Sequence, residues 1–265
     1  MKIGVSTSCF YPLLTEKSLE LVGKNGIKTT EIFFNANCEL EKDFINELVK
    51  IKSFYGIDVV SLHPTMSLAE SYMLFSGYER RFNEGLDLYK RYAEAARELG
   101  AKYIIMHGGK PNKFLTDEQY CHKFFEVARV VEENGAMLLQ ENVVLFRAGS
   151  LDFLKLFVKT LGKDANICLD VKQSVRGGYS PFDVVKNVGE NIRHIHISDN
   201  GPKGDCLLPS CGTFDFAKLF YDVYKKGYKG DAIIEVYDFC YNDYSEVFDS
   251  AEWVENNALA NYNNK

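Results

Sequence analysis

Short apolar runs alternate with longer amphipathic stretches along the whole chain. The short runs cover residues 2–6 (KIGVS), 30–33 (TEIF), 58–62 (DVVSL), 102–106 (KYIIM), 136–140 (AMLLQ), 165–169 (ANICL), 192–197 (IRHIHI) and 232–236 (AIIEV). Most are rich in Ile and Val, as parallel strands buried on both faces are. Between them the spacing of apolar residues is helical. One helix is expected around 18–22 and closed by Gly26, a long one over 82–99 closed by Gly100, and one over 117–131 ahead of Gly135. Others are expected over 151–161, 181–188, 214–224 and 244–256. Glycine ends a helix well because it adopts the left-handed conformation without a steric cost. Ser180-Pro181 reads as an N-cap followed by proline at the first helical position, where a missing N–H costs nothing.

Eight strand–helix units predict a parallel sheet. In 265 residues they fit a closed (β/α)₈ TIM barrel better than an open doubly wound sheet. No G-x-G-x-x-G follows the first strand to support a dinucleotide site. One domain is expected over 1–260, with the polar segment 261–265 (NYNNK) as a frayed tail.

Composition narrows the partners. The formal net charge of −6 argues against a nucleic-acid partner, since phosphate binding needs a basic surface. No run reaches the ~18 apolar residues that a membrane span requires. The start, MKIGVSTSCFYP, has too short an apolar stretch for a signal peptide. The seven cysteines are odd in number, scattered and free of C-x-x-C, which predicts reduced thiols and a cytoplasmic protein.

In a barrel of this kind chemistry sits at the C-terminal ends of the strands, and the polar residues of this chain gather there. Reading along the strands gives Glu31, His63, His107, then Gln140-Glu141-Asn142, Asp170, the His194–Asn200 stretch, and Glu235. His122 falls within a helix and is expected at the surface. Carboxylates and imidazoles converging on one rim need a counter-charge, and a divalent cation supplies it. Glu141, Asp170, His196 and Glu235 come from four consecutive strands. Three carboxylates and an imidazole form a hard donor set that favours Mn²⁺ or Mg²⁺, with Co²⁺ and Zn²⁺ as alternatives.

The segments LLQENV, CLDVKQS, HIHISDNGPKGDCLLPSCGTFDF and AIIEVY, with SLHPT and IIMHGG before them, resemble the xylose-isomerase-like barrel superfamily. That group includes ketose 3-epimerases, hydroxypyruvate isomerase, inosose dehydratase and endonuclease IV. The resemblance implies one metal held by Glu141, Asp170, His196 and Glu235, with Glu141 and Glu235 also serving as the acid/base pair. It implies substrate contacts at His63, His107, Gln173 and Lys203. Spare-ligand and structural roles stay open for the two histidines. His194 is expected on the barrel exterior, and Lys172 is an open case, with an orientation away from the axis as one reading. Glu31 has no assigned role. Arg176 has two readings, an anion contact or a solvated loop residue.

This chain departs from the family pattern at three places. Gln173 stands where the epimerases and endonuclease IV usually carry histidine. Leu207 stands where endonuclease IV has another. Pro202-Lys203 occupies the place of an arginine frequent in the epimerases. The expected activity is isomerisation or epimerisation of a small sugar or polyhydroxy carbonyl compound through an enediolate. The alternatives are an inosose-dehydratase-like lyase, an endonuclease-IV-like phosphodiesterase lacking two ligands, and a non-catalytic sugar-binding barrel. The partner is a small carbohydrate, and family precedent admits a homo-oligomer.

Overall fold

The computed structural model describes residues 1–64 and 67–260; the expected tail at 261–265 lies outside them. Seven parallel strands come first: β1 (Ile3–Ser6), β2 (Thr29–Phe33), β3 (Asp58–His63), β4 (Tyr103–Met106), β5 (Met137–Glu141), β6 (Ile167–Asp170) and β7 (Ile192–Ile197). A hairpin follows, β8 (Asp199–Gly201) and β9 (Gly204–Leu207), and β10 (Ala232–Ile234) is the last strand. The barrel order is β1-β10-β7-β6-β5-β4-β3-β2, and β1 pairs with both β10 and β2, which closes the ring. The expected TIM barrel is therefore the observed one.

The apolar core lies between the barrel wall and the surrounding helices. Ile32, Leu62, Ile104, Leu169, Ile195 and Ile234 are all fully buried. Closure also needs tight packing on the inside. Gly4 of β1 has no room for a side chain, because a Cβ there would lie 2.5 Å from the Thr29 carbonyl oxygen and 2.5 Å from Ile233.

The helix limits follow the capping chemistry. Glu79–Leu99 ends at Gly100 with φ 73°, and Pro181–Val188 begins at Ser180, whose hydroxyl accepts from the Phe182 N–H. Three elements carry no clear signal in the sequence. The helix Lys42–Tyr55 intersperses charged residues among its apolar ones and buries only Ile45 and Leu48. The short helix Val171–Arg176 starts directly at the end of β6, and the β8–β9 hairpin interrupts the βα rhythm.

One side chain organises the loop that carries this hairpin. Asp199 is buried and its carboxylate accepts four backbone N–H groups: Asn200 at 2.8 Å, Phe214 at 2.9 Å, Gly212 at 2.9 Å and Ser210 at 3.2 Å. Gly212 is required for that approach, since a Cβ would stand 2.3 Å from Asp199 Oδ1. Replacing Asp199 by alanine leaves these donors unpaired in a dry place. We predict that Asp199→Ala lowers stability by about 3 kcal/mol or more, and that Asp199→Asn, which keeps one acceptor oxygen, loses less. Urea denaturation midpoints measure both, and an unchanged midpoint for the alanine variant would refute the role.

Candidate metal and substrate site

Side chains alternate in and out along a strand, so residues two apart share a face. The inward set at the C-terminal rim comprises His63, His107, Glu141, Asp170, His196 and Glu235. Directly beneath it lie Glu31, Ser61, Ile105, Leu139, Cys168 and His194. Register joins the layers, with Glu31 beside Ser61, Cys168 beside His194 and Asp170 beside His196.

Glu141, Asp170, His196 and Glu235 each offer one ligand atom, and these atoms lie within 4.8 Å of one another. His196 Nδ1 is 3.2 Å from Glu141 Oε1, 3.5 Å from Glu235 Oε2 and 3.9 Å from Asp170 Oδ2. Glu141 Oε2 is buried without a well-aligned hydrogen bond, although His107 Nε2 and His63 Nε2 face it at 3.0 and 3.5 Å. This donor set fits a divalent cation. Burial pushes the Asp170 carboxyl up to about 6, with the Lys172 ammonium opposing and the Glu141 and Glu235 charges adding to the rise.

The layer below fixes the imidazole. Glu31 is fully buried, and its Oε2 lies 3.0 Å from His196 Nε2 while accepting from Ser61 Oγ at 2.8 Å. Its Oε1 accepts from Ser6 Oγ at 3.2 Å. Burial alone would raise the Glu31 pKa, but His196, His194 and His63 hold it well below the usual carboxylate range. A carboxylate on Nε2 leaves Nδ1 as the nitrogen turned toward the cluster, the arrangement that orients a histidine ligand.

One sequence expectation needs correction, and the structure places two further side chains. His194 is inside the barrel, not on its exterior: it is fully buried, 3.2 Å from Ser61 Oγ and 3.5 Å from Glu31 Oε2. The period of two that turns His196 inward turns His194 inward as well. Lys172 points into the rim, where its ammonium contacts Asp170 and lies 2.7 Å from Glu235 Oε2. Burial opposes that charge, but Asp170, Glu235 and Glu141 raise its pKa well above the ordinary value. Lys203 is exposed at the turn of the β8–β9 hairpin, between the paired Gly201 and Gly204, and is not among the residues lining the cavity.

The remaining residues fall as follows. His63 lies against Phe33 with ring centroids 4.8 Å apart. Burial would lower its pKa, yet the Glu141 contact and the charge of Glu31 raise it to about 9. Gln173 lines the cavity, its side-chain oxygen accepting from the Val144 N–H at 3.1 Å and its backbone N–H donating to Asp170 Oδ1 at 2.8 Å. Arg176 is neither free nor merely solvated. It forms a bidentate pair with Asp205 at 2.8 and 3.0 Å and donates to the Tyr237 hydroxyl at 3.0 Å. His122 is exposed, as expected.

Sequence reasoning missed Ser6 and Ser61, and it named Asn142 without a role: its amide oxygen accepts from the Asp170 backbone N–H at 2.6 Å and its amide nitrogen donates to the Asp170 carbonyl at 3.1 Å. The signal for Ser61 was a step of two back from the rim residue His63. A cavity of about 640 Å³ opens above the cluster, walled by Phe33, Phe146, Lys172 and Tyr237. A groove of about 760 Å³ at the opposite end of the barrel, around Lys102, Arg129 and Arg193, contains none of the converging acids.

A family model described as xylose isomerase-like TIM barrel matches residues 19–257. The chain belongs to this family. An uncharacterized protein of Mycobacterium tuberculosis is 24% identical over 89% of each chain. The fructoselysine 3-epimerase of Shigella flexneri is 24% identical over 77% of each. Among solved structures, a D-tagatose 3-epimerase-like protein superposes with a TM-score of 0.82 at 21% identity, covering 100% of this chain and 99% of its own. That likeness concerns the fold. Among the described residues no helix is long and apolar enough to cross a membrane.

The buried Glu31 contacts predict a stability effect. Glu31→Ala strands His196, Ser61 and Ser6, and should cost about 3–5 kcal/mol, the range for removing one partner of a buried ion pair. Glu31→Gln keeps an acceptor and should cost less. Chemical denaturation at pH 7 measures the difference; equal losses would show that packing rather than pairing is at stake.

Proposed function

We propose that this protein is a divalent-metal-dependent isomerase or epimerase acting on a small sugar or related polyhydroxy carbonyl compound. The carrying observation is the meeting of Glu141, Asp170, His196 and Glu235 at the rim, with His196 Nδ1 turned toward the three carboxylates. The epimerase relative supports the reaction class. Mn²⁺ or Mg²⁺ suits the donor set best.

A divalent cation, when bound, supplies Lewis acidity that makes a hydrogen beside a carbonyl removable at neutral pH. The protein supplies the proton chemistry and the positioning. Glu141 and Glu235 approach the ligand space from β5 and from the end of β10, so one takes the proton and the other returns it. His63 and His107 direct their Nε2 atoms to Glu141 Oε2 and hold that carboxylate in place. Lys172 offsets the charge of Asp170 and Glu235 and stands where a developing oxyanion can use it. Gln173 and the two histidines offer polar contacts to hydroxyl groups. Phe33 and Phe146 shield the space from bulk water.

Two measurements test this reading. Metal analysis after reconstitution with Mn²⁺ should find about one ion per chain, consistent with a single four-residue site, and Asp170→Ala should lose it. A metal-free wild type after reconstitution with Mn²⁺, Mg²⁺, Co²⁺ and Zn²⁺ in turn would remove the proposed site. In heavy water a true ketose substrate should take up deuterium at the carbon beside its carbonyl. Glu141→Gln and Glu235→Gln should each slow this exchange at least ~10²-fold, with bound metal measured in each variant. Full exchange by both metal-loaded variants would exclude these glutamates as the acid/base pair. Deuterium in an isomer or epimer supports the proposal, whereas dehydration would assign a lyase.

A further inference from the structure

Cys206 and Cys240 are 34 residues apart in the chain, yet their sulfur atoms lie 3.6 Å from each other. Cys206 belongs to β9 and is buried; Cys240 ends the short turn Asp238–Cys240 after β10 and is half-buried. The other cysteines differ. Cys38 and Cys211 are exposed, and Cys9, Cys121 and Cys168 are enclosed in the core. The 3.6 Å separation is thiol contact, and only a small approach separates it from the ~2.05 Å of a covalent bond.

We propose that Cys206 and Cys240 form a reversible dithiol–disulfide site that fastens the hairpin after β7 to the turn after β10. The reaction partner is a low-molecular-weight disulfide such as oxidised glutathione. The Cys240 thiolate attacks one sulfur of that disulfide, giving a mixed disulfide and releasing one thiolate. Cys206 then loses its proton and attacks Cys240 Sγ, which closes the protein bond and releases the second thiolate. The two protein thiols lose two electrons and the small disulfide gains them.

The surroundings assign the order of attack. Cys240 is the more accessible of the two. Its hydrogen bond with Cys206, set against burial and helped by Arg176 and Lys172, brings its pKa down to about 7. The same hydrogen bond, together with burial, pushes Cys206 up. A lower pKa raises the thiolate fraction, which is the reacting form. The segments joined are part of the cavity wall or attached to it. Tyr237 and Asp238 line the cavity, and Asp205, next to Cys206, holds Arg176 beside the Tyr237 ring. The proposal does not depend on which reaction the barrel catalyses.

The test uses the intact protein. Fully reduced wild type is incubated with excess oxidised glutathione, quenched by alkylation in denaturant, and mapped by mass spectrometry. The expected product is a Cys206–Cys240 cross-linked peptide, with the protein lighter by two hydrogens at this pair and restored by dithiothreitol. Cys206→Ser should stop at a glutathione adduct on Cys240, and Cys240→Ser should leave Cys206 as a free thiol. Thermal unfolding of the oxidised wild type should rise by about 5 °C or more relative to the reduced form, because the link closes a long loop. Cys240→Ser should show no such rise. Recovery of both cysteines as free alkylated thiols, or of glutathione retained on Cys240 of the wild type, would overturn the proposal.

Discussion

Closing eight strands into a ring sends every second side chain into a space with little water, and the site is built from that constraint. A buried polar group there must find a partner, because its lost hydration is returned only by hydrogen bonds or opposite charge. Glu31 meets the demand with Ser6, Ser61 and His196. Once Nε2 of His196 is committed to Glu31, its Nδ1 faces upward, and the carboxylates of Glu141, Asp170 and Glu235 gather around it. The orientation at the rim is thus decided one layer down.

Much of this was legible in the sequence, for physical reasons. Buried parallel strands need apolar runs, and all eight could be read from short apolar stretches, most of them rich in Ile and Val. Gly100 and Ser180 mark helix ends because backbone geometry and unpaired N–H groups demand them. The rim acids and histidines stood out because polar residues at the ends of apolar strands are costly unless they are used. Long-range geometry was less legible. Lys172 turns inward because a helix starts directly at Asp170, whose N-cap signal with Gln173 three residues on was not read as one. Lys203 lies at the turn of a hairpin whose strands are only three and four residues long. His194 was a different failure: the alternation rule was available and places it on the same face as His196.

The loops above the barrel are joined by polar contacts rather than by a second apolar core. Asp199 gathers the backbone between Asn200 and Phe214. Arg176 links the helix after β6 to Asp205 in the hairpin and to Tyr237 after β10. These contacts tie the helix after β6, the hairpin and the turn after β10 to one another at the cavity wall.

The Arg176 pairing also bears on how a ligand first meets the protein. The lysine and the arginine that line the cavity are already matched, Lys172 by Asp170 and Glu235, Arg176 by Asp205. Their fields largely cancel beyond a Debye length. An approaching molecule therefore gains little long-range attraction from these two groups. An uncharged ligand enters by diffusion and fit, and an anion finds in these two groups no unpaired cation to steer it.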